Sequence, residues 1–285
     1  MIVITGATGA LNGATVEHLL KGIPADQIGV SVRDVAKAQH FADRGVRVRR
    51  GSCDDPAALL DSFEGADQVL LVSSNDPSAD GVALLRVGID AAVAAGARRI
   101  LYTSHQHIGL DSPFSPARDH AAVEALLADS GVAWTSLRNG FYAHSLDWLL
   151  GPWRETGVIA TPADGPVSWT ERDDEAEAAA VILAGPRPFD GPVTLTASTA
   201  VTFDQIAGIT SQLTGRDIQR VVLDDDTWVA EQIAHGTPAP MAGFLLGFYQ
   251  AARQGRFAAV DPLLGDLLGR QPRTVRDLLA DRAAA

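Results

Sequence analysis

The first half of the chain alternates short apolar runs with segments whose apolar residues recur at helical spacing. The apolar runs predict strands at Ile2–Thr5, Ile28–Val32, Val46–Arg50, Gln68–Ser73, Arg99–Thr103 and Ala133–Arg138. The helical spacing predicts helices at Leu11–Lys21, Val35–Arg44, Pro56–Phe63, Ala79–Ala95 and Ala117–Asp129. Several of these helices end at a glycine, as at Gly45, Gly96 and Gly131. The alternation predicts an α/β fold with a doubly wound parallel sheet.

After Arg138 the alternation weakens, and glycine and proline cluster between the remaining apolar segments. Helical patterns persist at Asp173–Ala184 and Phe203–Leu213. The pattern over residues 230–254 predicts two helices separated by a Pro-Ala-Pro break, and these helices could cover a cleft. We therefore expect a sheet domain over residues 1–145 and a smaller, mostly helical region over residues 146–285 that is partly threaded back into the sheet.

The first strand runs directly into a glycine-rich turn that opens an apolar helix. Gly6 can adopt the backbone angles of a sharp turn, and Gly9 lets the main chain approach a pyrophosphate. The amide groups at the start of the helix would then face the anion. A plain tight turn is the alternative, but the strand before the turn and the helix after it favour a Rossmann-type dinucleotide site. The predicted contacts are Gly6, Thr8, Gly9, Ala10 and Leu11.

The end of the second strand indicates which dinucleotide is bound. Arg33 follows this strand and could clamp a 2′-phosphate, with assistance from Lys37 one helical turn later. Asp34 could instead accept hydrogen bonds from the adenosine ribose of NAD, or cap the following helix while Arg33 is a plain surface residue. We expect NADP(H) as the cofactor and leave NAD(H) open.

Composition narrows the class of protein. The 285 residues are 46% hydrophobic and carry a formal net charge of −12, with a pI near 4.9. This charge disfavours nucleic acid and anionic membrane surfaces as partners. Cys53 is the single cysteine, which excludes an internal disulfide and cysteine-pair metal sites. With no leader and no membrane-spanning run, we expect a cytoplasmic protein.

These residues resemble the NmrA-like group of atypical short-chain dehydrogenases, and within it the quinone oxidoreductase 2 type. The resemblance covers nearly the whole chain and is carried by Thr5–Leu11, Val32-Arg33, Arg50–Pro56, Val69–Ser74, Ala95–Ser104, Asp119–Glu124, Ser130–Tyr142, Arg172–Ala176 and Gly269–Thr274. It implies NADP binding at the glycine-rich turn and at Arg33. It further implies a nicotinamide that lies past the strand ends near Ser73–Asn75, Thr103–His105 and Asn139–Tyr142. The predicted cofactor contacts there are Ser73, Ser74, Asn75, Thr103, Ser104, Asn139, Gly140 and Phe141. The chain departs from the family at Asn12, where a third glycine is usual, so we expect altered packing there with pyrophosphate binding retained.

Ordinary short-chain reductases use a Tyr-x-x-x-Lys pair, in which the lysine lowers the pKa of the tyrosine so that the phenol can protonate a carbonyl oxygen. This chain has lysine only at positions 21 and 37, and neither follows a tyrosine at that spacing. A quinone or a quinone-like aromatic polyketide suits such a site, because hydride addition produces a stabilised phenolate that can be protonated later.

The candidate catalytic groups are Ser104, His105, His120 and Tyr142. His120 precedes Glu124 by four residues, so the two could pair on one helix face and keep the imidazole partly charged, or form an exposed helix pair. His105 and His107 could lie at a ligand site or in a solvated turn, and we expect no metal. The Asn139-Gly140 turn could line the nicotinamide pocket, and Tyr142 lacks a visible activator.

Aromatic residues in the second half could bind a planar substrate or simply form a core. They are Trp148, Trp153, Trp169, Trp228, Phe244, Phe248 and Tyr249. The consecutive carboxylates Asp224–Asp226 could hold a cation, or cap a helix. The leading hypothesis is an NAD(P)H-dependent oxidoreductase that acts on a small planar aromatic or quinone substrate, with secondary metabolism as a variant and homodimerisation left open. The alternative is a non-catalytic regulator that senses the dinucleotide.

Overall fold

A computed structural model of the protein describes residues 1–73, 79–186 and 188–284. The chain divides into two compact units. Unit 1 comprises Met1–His105, Asp119–Asn139 and Asp173–Leu195, and unit 2 comprises Gln106–Arg118, Gly140–Arg172 and Thr196–Ala285. The division after residue 145 stays a prediction.

Strands and helices alternate along most of the chain. The strands are β1 (Ile2–Thr5), β2 (Ile28–Val32), β3 (Arg47–Arg50), β4 (Gln68–Leu71), β5 (Arg99–His105), β6 (Ala133–Asn139), β7 (Phe141–Tyr142), β8 (Val158–Pro162), β9 (Trp169–Thr170), β10 (Gly191–Leu195) and β11 (Gln219–Leu223). The helices are α1 (Ala10–Leu19), α2 (Gln39–Ala42), α3 (Pro56–Ser62), α4 (Gly81–Ala94), α5 (Ser115–Asp129), α6 (Leu146–Leu149), α7 (Trp153–Thr156), α8 (Arg172–Ala184), α9 (Phe203–Thr214), α10 (Asp225–Ala234), α11 (Ala239–Arg253), α12 (Leu263–Leu268) and α13 (Val275–Ala284). Short 3₁₀ turns occur at Ala25–Gln27, Val35–Ala38 and Ala143–Ser145.

Unit 1 is built on a parallel sheet that has seven strands in the described part of the chain. Their order is β10-β6-β5-β4-β1-β2-β3, so the chain runs outward from β1 in one direction and then returns to build the other half from β4. This is the expected doubly wound order. Strands such as β2 are buried on both faces, as parallel strands covered by helices must be.

Unit 2 holds a separate, aromatic-rich core. Phe141 lies at its centre, with ring centroids 4.6 Å from Phe248 and 5.4 Å from Trp169. Two short parallel pairs, β8 with β11 and β7 with β9, lie beside the helices of this unit. The helices include the predicted pair around the Pro-Ala-Pro break, observed as α10 and α11.

The sequence did not predict β10, which pairs in parallel with β6 at the edge of the sheet. Gly191 and Pro192 read as a turn because proline cannot donate a ladder hydrogen bond, but an edge strand tolerates this loss. The helix predicted over Val35–Arg44 is a 3₁₀ turn followed by the four-residue helix α2. No helix in the described ranges is both long and apolar enough to cross a bilayer.

Candidate functional site

The carboxyl ends of β1 and β4 form the point in unit 1 where the strand order reverses. In open parallel sheets, this point leaves a crevice in which ligands bind. The Thr5 hydroxyl joins the two strand ends, since it donates to the Leu70 carbonyl oxygen at 3.1 Å and accepts from the Val72 amide at 2.9 Å. The crevice therefore has fixed walls before any ligand enters.

The glycine-rich turn follows β1 at this crevice. Gly6 has a φ of +64°, and a Cβ there would lie 2.6 Å from Cγ1 of Val72, so both conformation and space require glycine. Gly9 donates to the Gly6 carbonyl at 2.9 Å and is the N-cap residue directly before α1, which therefore has no side-chain cap. The first amide groups of α1 have no intrahelical acceptor and are available to an anion.

An open cleft of about 390 Å³ lies against this turn. It is lined by residues 7–10 of the turn, by Lys37 and His40, and by Glu17. Arg44 pairs with Glu17 at 2.7 Å and offsets its negative charge. Backbone amides, a helix N-terminus and the Lys37 ammonium therefore face one space, and these donors fit a phosphate-bearing dinucleotide.

Arg33 is exposed directly after β2, one residue beyond Val32, which pairs in register with Arg50 at the end of β3. Its charge acts on the Cys53 thiol, whose pKa is raised mainly by burial and then by Asp54, while Arg33 opposes the rise. Asp34 caps the 3₁₀ turn at Val35–Ala38, since its carboxylate accepts from the Ala36 amide at 3.1 Å. The capping alternative for Asp34 is therefore observed, while Arg33 is left exposed at the strand end.

Asn12, the departure from the family pattern, is turned into the protein rather than into the cleft. It is 1% exposed, and its Nδ2 donates to the Thr5 carbonyl oxygen at 2.8 Å. Its Oδ1 is buried without a hydrogen-bond partner among the described residues. Asn12 thus adds a contact between α1 and β1 and leaves the space beside Gly9 open.

A buried polar network joins α5 to the carboxyl halves of β5 and β6. The Glu124 carboxylate accepts from the hydroxyls of Ser104 at 2.8 Å and Ser136 at 2.6 Å. It also accepts from Nε and Nη2 of Arg138, at 3.0 and 2.6 Å. The Ser104 proton is therefore directed to Glu124, and a catalytic role of Ser104 stays a prediction.

His120 lies one turn before Glu124 on α5, yet the two do not form the predicted pair. The His120 Nδ1 is instead 2.7 Å from the Tyr102 hydroxyl, and the ring is 9% exposed. Burial, followed by the charge of His105, lowers the pKa of His120 from 6.5 to about 3. The expectation of a partly charged imidazole at neutral pH is therefore wrong, since desolvation disfavours the charged form.

His105 ends β5 and is half-buried, with its ring stacked on His120 at a centroid distance of 6.3 Å. Thr103, two residues earlier, is buried, and its hydroxyl accepts from the Ser73 amide at 2.9 Å. This bond fixes the end of β4 against β5. Ser74 and Asn75, also predicted as cofactor contacts, lie outside the described residues.

Residues 139–142 run from the last residue of β6 into β7. Asn139 is buried, and a Cβ on Gly140 would lie 2.1 Å from the Thr170 hydroxyl oxygen, so only glycine fits there. The Phe141 side chain is committed to the aromatic core, which leaves its backbone as the part able to contact a cofactor. The half-buried Tyr142 ring stacks on His144 at 5.5 Å.

Most of the candidate aromatic surface is core. Trp153, Trp169, Trp228, Phe248 and Tyr249 are buried, Phe244 packs against the same cluster, and Trp148 is 49% exposed. Asp224 accepts from the amides of Asp226 and Thr227 and caps α10, as the simpler interpretation holds. The described side chains include no group of three or more His, Cys, Asp or Glu residues that could hold a metal ion.

Sequence reasoning missed the roles of Arg138, Ser136 and Thr5. A signal was present, because polar residues recur at every second position on two strands, at Tyr102 and Ser104 and again at Ser136 and Arg138. Register pairs Tyr102 with Ser136 and Ser104 with Arg138, so the four share one face. Only the pairing of strands shows that this face meets Glu124.

Comparisons with known proteins find relatives that match over nearly the whole chain. The model of the NmrA-like family matches residues 1–266. Quinone oxidoreductase 2 of Escherichia coli K12 is 34% identical over 278 residues, which is 97% of this chain and 96% of that protein. The crystal structure of an NADPH-dependent quinone oxidoreductase from Escherichia coli, complexed with NADPH, superposes with a TM-score of 0.92 at 33% identity, covering 100% of this chain and 99% of the other. The NADP(H) complex of Citrobacter sp. triphenylmethane reductase gives a TM-score of 0.90 at 29% identity, with 99% and 100% covered.

Proposed function

Because this chain belongs to the NmrA-like family, we propose that it uses NADPH to reduce quinones or related planar, conjugated acceptors by direct hydride transfer. It is an NAD(P)H-dependent oxidoreductase of this family. The acceptor class, the preference for NADPH and the residues that act are the parts we propose.

The observation that supports the proposal best is the cleft beside the glycine-rich turn, which fits a dinucleotide. Its floor is the uncapped start of α1, and its wall carries the Lys37 ammonium. A dinucleotide pyrophosphate requires amide donors at a helix N-terminus and close approach of the main chain, and Gly6 and Gly9 meet both requirements. When bound, NADPH supplies the hydride.

The charges at the ends of β2 and β3 support NADPH over NADH. Arg33 is exposed and has no hydrogen bond or ion pair among the described residues, and Asp34 is occupied as a cap. A guanidinium is suited to bidentate recognition of a 2′-phosphate, whereas a carboxylate in this place would favour the ribose hydroxyls of NAD. Lys37, in the cleft, adds a second positive charge near the same ligand.

The lack of a lysine-activated tyrosine limits the class of substrate that the protein can reduce. No lysine lies at the spacing that would activate a tyrosine, so a substrate that must be protonated as the hydride arrives is disfavoured. A quinone accepts the hydride on a ring carbon, and π electrons move onto a carbonyl oxygen to give a stabilised enolate. The enolate becomes the hydroquinone monoanion when the added hydrogen moves as a proton from the carbon to the other oxygen through solvent. The names of two similar proteins, quinone oxidoreductase 2 of Escherichia coli and triphenylmethane reductase of Citrobacter sp., indicate conjugated acceptors of this kind.

We propose His105 as the group that returns a proton to the monoanion. It ends β5 at the carboxyl edge of the sheet and is half-buried. The neighbouring His120 is a poor proton donor, because burial lowers its pKa to about 3, whereas His105 is only half-buried beside it. Tyr142 stays a prediction as an alternative donor.

The test is NADPH oxidation by purified protein with benzoquinones and naphthoquinones, alongside cofactor affinity measured by fluorescence quenching. We expect turnover with NADPH, and we expect Arg33→Ala to raise the KM for NADPH by about 10- to 100-fold, the value of one or two charge-assisted hydrogen bonds. The KM for NADH should change little. Arg216→Ala, an exposed arginine of unit 2, is the matched control and should leave both values unchanged.

Tight NADPH binding without turnover on any acceptor would contradict the enzymatic proposal and favour a cofactor-sensing regulator. Equal effects of Arg33→Ala on NADPH and NADH would remove Arg33 as the phosphate contact.

A further inference from the structure

The Glu124 carboxylate is fully used by groups around it. Two hydroxyls and two guanidinium N–H groups donate to its two oxygens, which is about the number of hydrogen bonds a carboxylate can accept. The side chain is 7% exposed, so these bonds stabilise its charge in place of water. Glu124 therefore holds Arg138 in one orientation and is not itself a proton donor or acceptor.

Within the described residues, the Arg138 guanidinium makes hydrogen bonds along one of its edges only. Nε and Nη2 donate to Glu124, while Nη1 has no hydrogen-bond partner among the described residues. The side chain is 28% exposed, so the second edge reaches the surface of unit 1. A guanidinium has five N–H donors, and three remain for a ligand.

The unused edge lies at the ligand-binding end of the sheet. Arg138 is the penultimate residue of β6 and pairs in register with Ser104, the residue before His105. Glu124 and His120 are one helical turn apart on α5, which places the arginine network next to the stacked imidazoles. A pair that served only to attach α5 to the sheet would gain nothing from leaving one guanidinium edge exposed at this place.

We infer that Arg138 is a catalytic residue that binds the oxyanion formed when hydride reaches the acceptor, with Glu124 as its positioning residue. The inference rests on the proposed function. As the hydride bonds to the ring, the carbonyl π electrons move onto oxygen, and the free N–H groups of Arg138 donate to that oxygen. His105 or water then protonates this oxygen, and the added hydrogen leaves the ring carbon as a proton that reaches the second oxygen through solvent, which restores the aromatic ring and completes the hydroquinone.

Oriented donors at a developing oxyanion commonly contribute about 100-fold or more to the rate of the chemical step. Their contribution depends on how localised the negative charge is. A quinone with electron-withdrawing substituents gives a monoanion that is stable without help, whereas an alkylated quinone gives one that needs a donor. Loss of Arg138 should therefore slow reduction of alkylated quinones more than reduction of electron-poor quinones.

The test compares wild type with the double variant Glu124→Gln/Arg138→Met, which removes both charges and so leaves no buried carboxylate unpaired. Single-turnover NADPH oxidation is measured with a series of substituted benzoquinones, and NADPH affinity is measured separately. We expect unchanged NADPH affinity, a rate about 100-fold lower for alkylated quinones, and partial recovery on adding guanidinium ion. Arg99→Met removes an arginine at the amino end of β5, where it pairs with Asp190 at 2.7 Å, and is the matched control.

The outcomes separate the two proposals. If wild type reduces quinones and the double variant slows every quinone equally without guanidinium rescue, the role of Arg138 is structural and the inference is overturned while the proposed function stands. If Arg99→Met gives the same dependence on the quinone, the inference is likewise overturned. If wild type reduces no quinone, the proposed function fails and the inference fails with it.

Discussion

His120 makes a quantitative prediction about stability, because its imidazole is buried in the neutral state. The pKa of His120 is lowered to about 3 in the folded protein, first by burial and then by the charge of His105. In the unfolded chain the same group has a pKa near 6.5. The unfolded state therefore binds a proton at pH values where the folded state does not, and acidification below about pH 6.5 pulls the equilibrium towards unfolding.

The size of the effect follows from the pH interval between the two pKa values. Each pH unit below about 6.5 lowers the free energy of unfolding by about 1.4 kcal/mol, until His120 also becomes protonated in the folded state. Between about pH 7.5 and about pH 4.5, this one group should lower the free energy of unfolding by about 2.7 kcal/mol. The loss is almost fully recovered on returning to about pH 7.5, where His120 is nearly all neutral in both states.

The perturbation is His120→Asn, which keeps an amide near the position of Nδ1 for the Tyr102 hydroxyl but cannot titrate. Urea unfolding followed by tryptophan fluorescence and circular dichroism at both pH values gives the change in free energy for each protein. Other titrating groups contribute to both proteins, so the difference between the two pH dependences isolates His120. Tyr102→Phe should retain the wild-type dependence, because burial is the leading cause of the shift. Parallel pH dependences for wild type and His120→Asn would refute the reasoning.

Three further outcomes are expected. Gly6→Ala should abolish measurable NADPH binding, because the added Cβ would lie 2.6 Å from the Val72 side chain and the backbone φ of +64° disfavours alanine. Gly22→Ala is the control: its added Cβ meets nothing within 4 Å, so the Kd for NADPH should be unchanged in the same titration. Arg220→Met should lower the free energy of unfolding by about 3–5 kcal/mol in urea titrations, since it leaves the buried Asp164 without its cation; a loss below about 1 kcal/mol would contradict this. Gly208→Ala, within α9 and with open space around it, should raise the thermal midpoint by a few degrees through its helix propensity of up to about 1 kcal/mol, and a lowered midpoint would contradict this.

The sequence predicted the bounds of β1 and β2 correctly because both are short runs rich in β-branched residues, the first ended by Gly6 and the second by the charged pair Arg33-Asp34. It also predicted the glycine-rich turn correctly, since the need for glycine at position 6 arises from local backbone geometry. Local patterns were insufficient for β10, in which a glycine and a proline begin a strand that depends on β6 for its hydrogen bonds. The strand exists because an edge position tolerates a missing donor, and only the sheet defines which position is the edge.

At the candidate site the sequence predicted which residues are polar, but it did not predict their hydrogen-bond partners. The spacing of His120 and Glu124 correctly places them on one face of α5, yet spacing along a helix says nothing about what that face meets. The opposing strands supply Tyr102 to His120, and supply Ser104, Ser136 and Arg138 to Glu124. Thus the sequence by itself determined the fold class and the glycine-rich turn after β1, since these depend on residues close along the chain. The tertiary structure decided the charge on His120 and the orientation of Arg138, because burial and hydrogen bonding between distant segments set both.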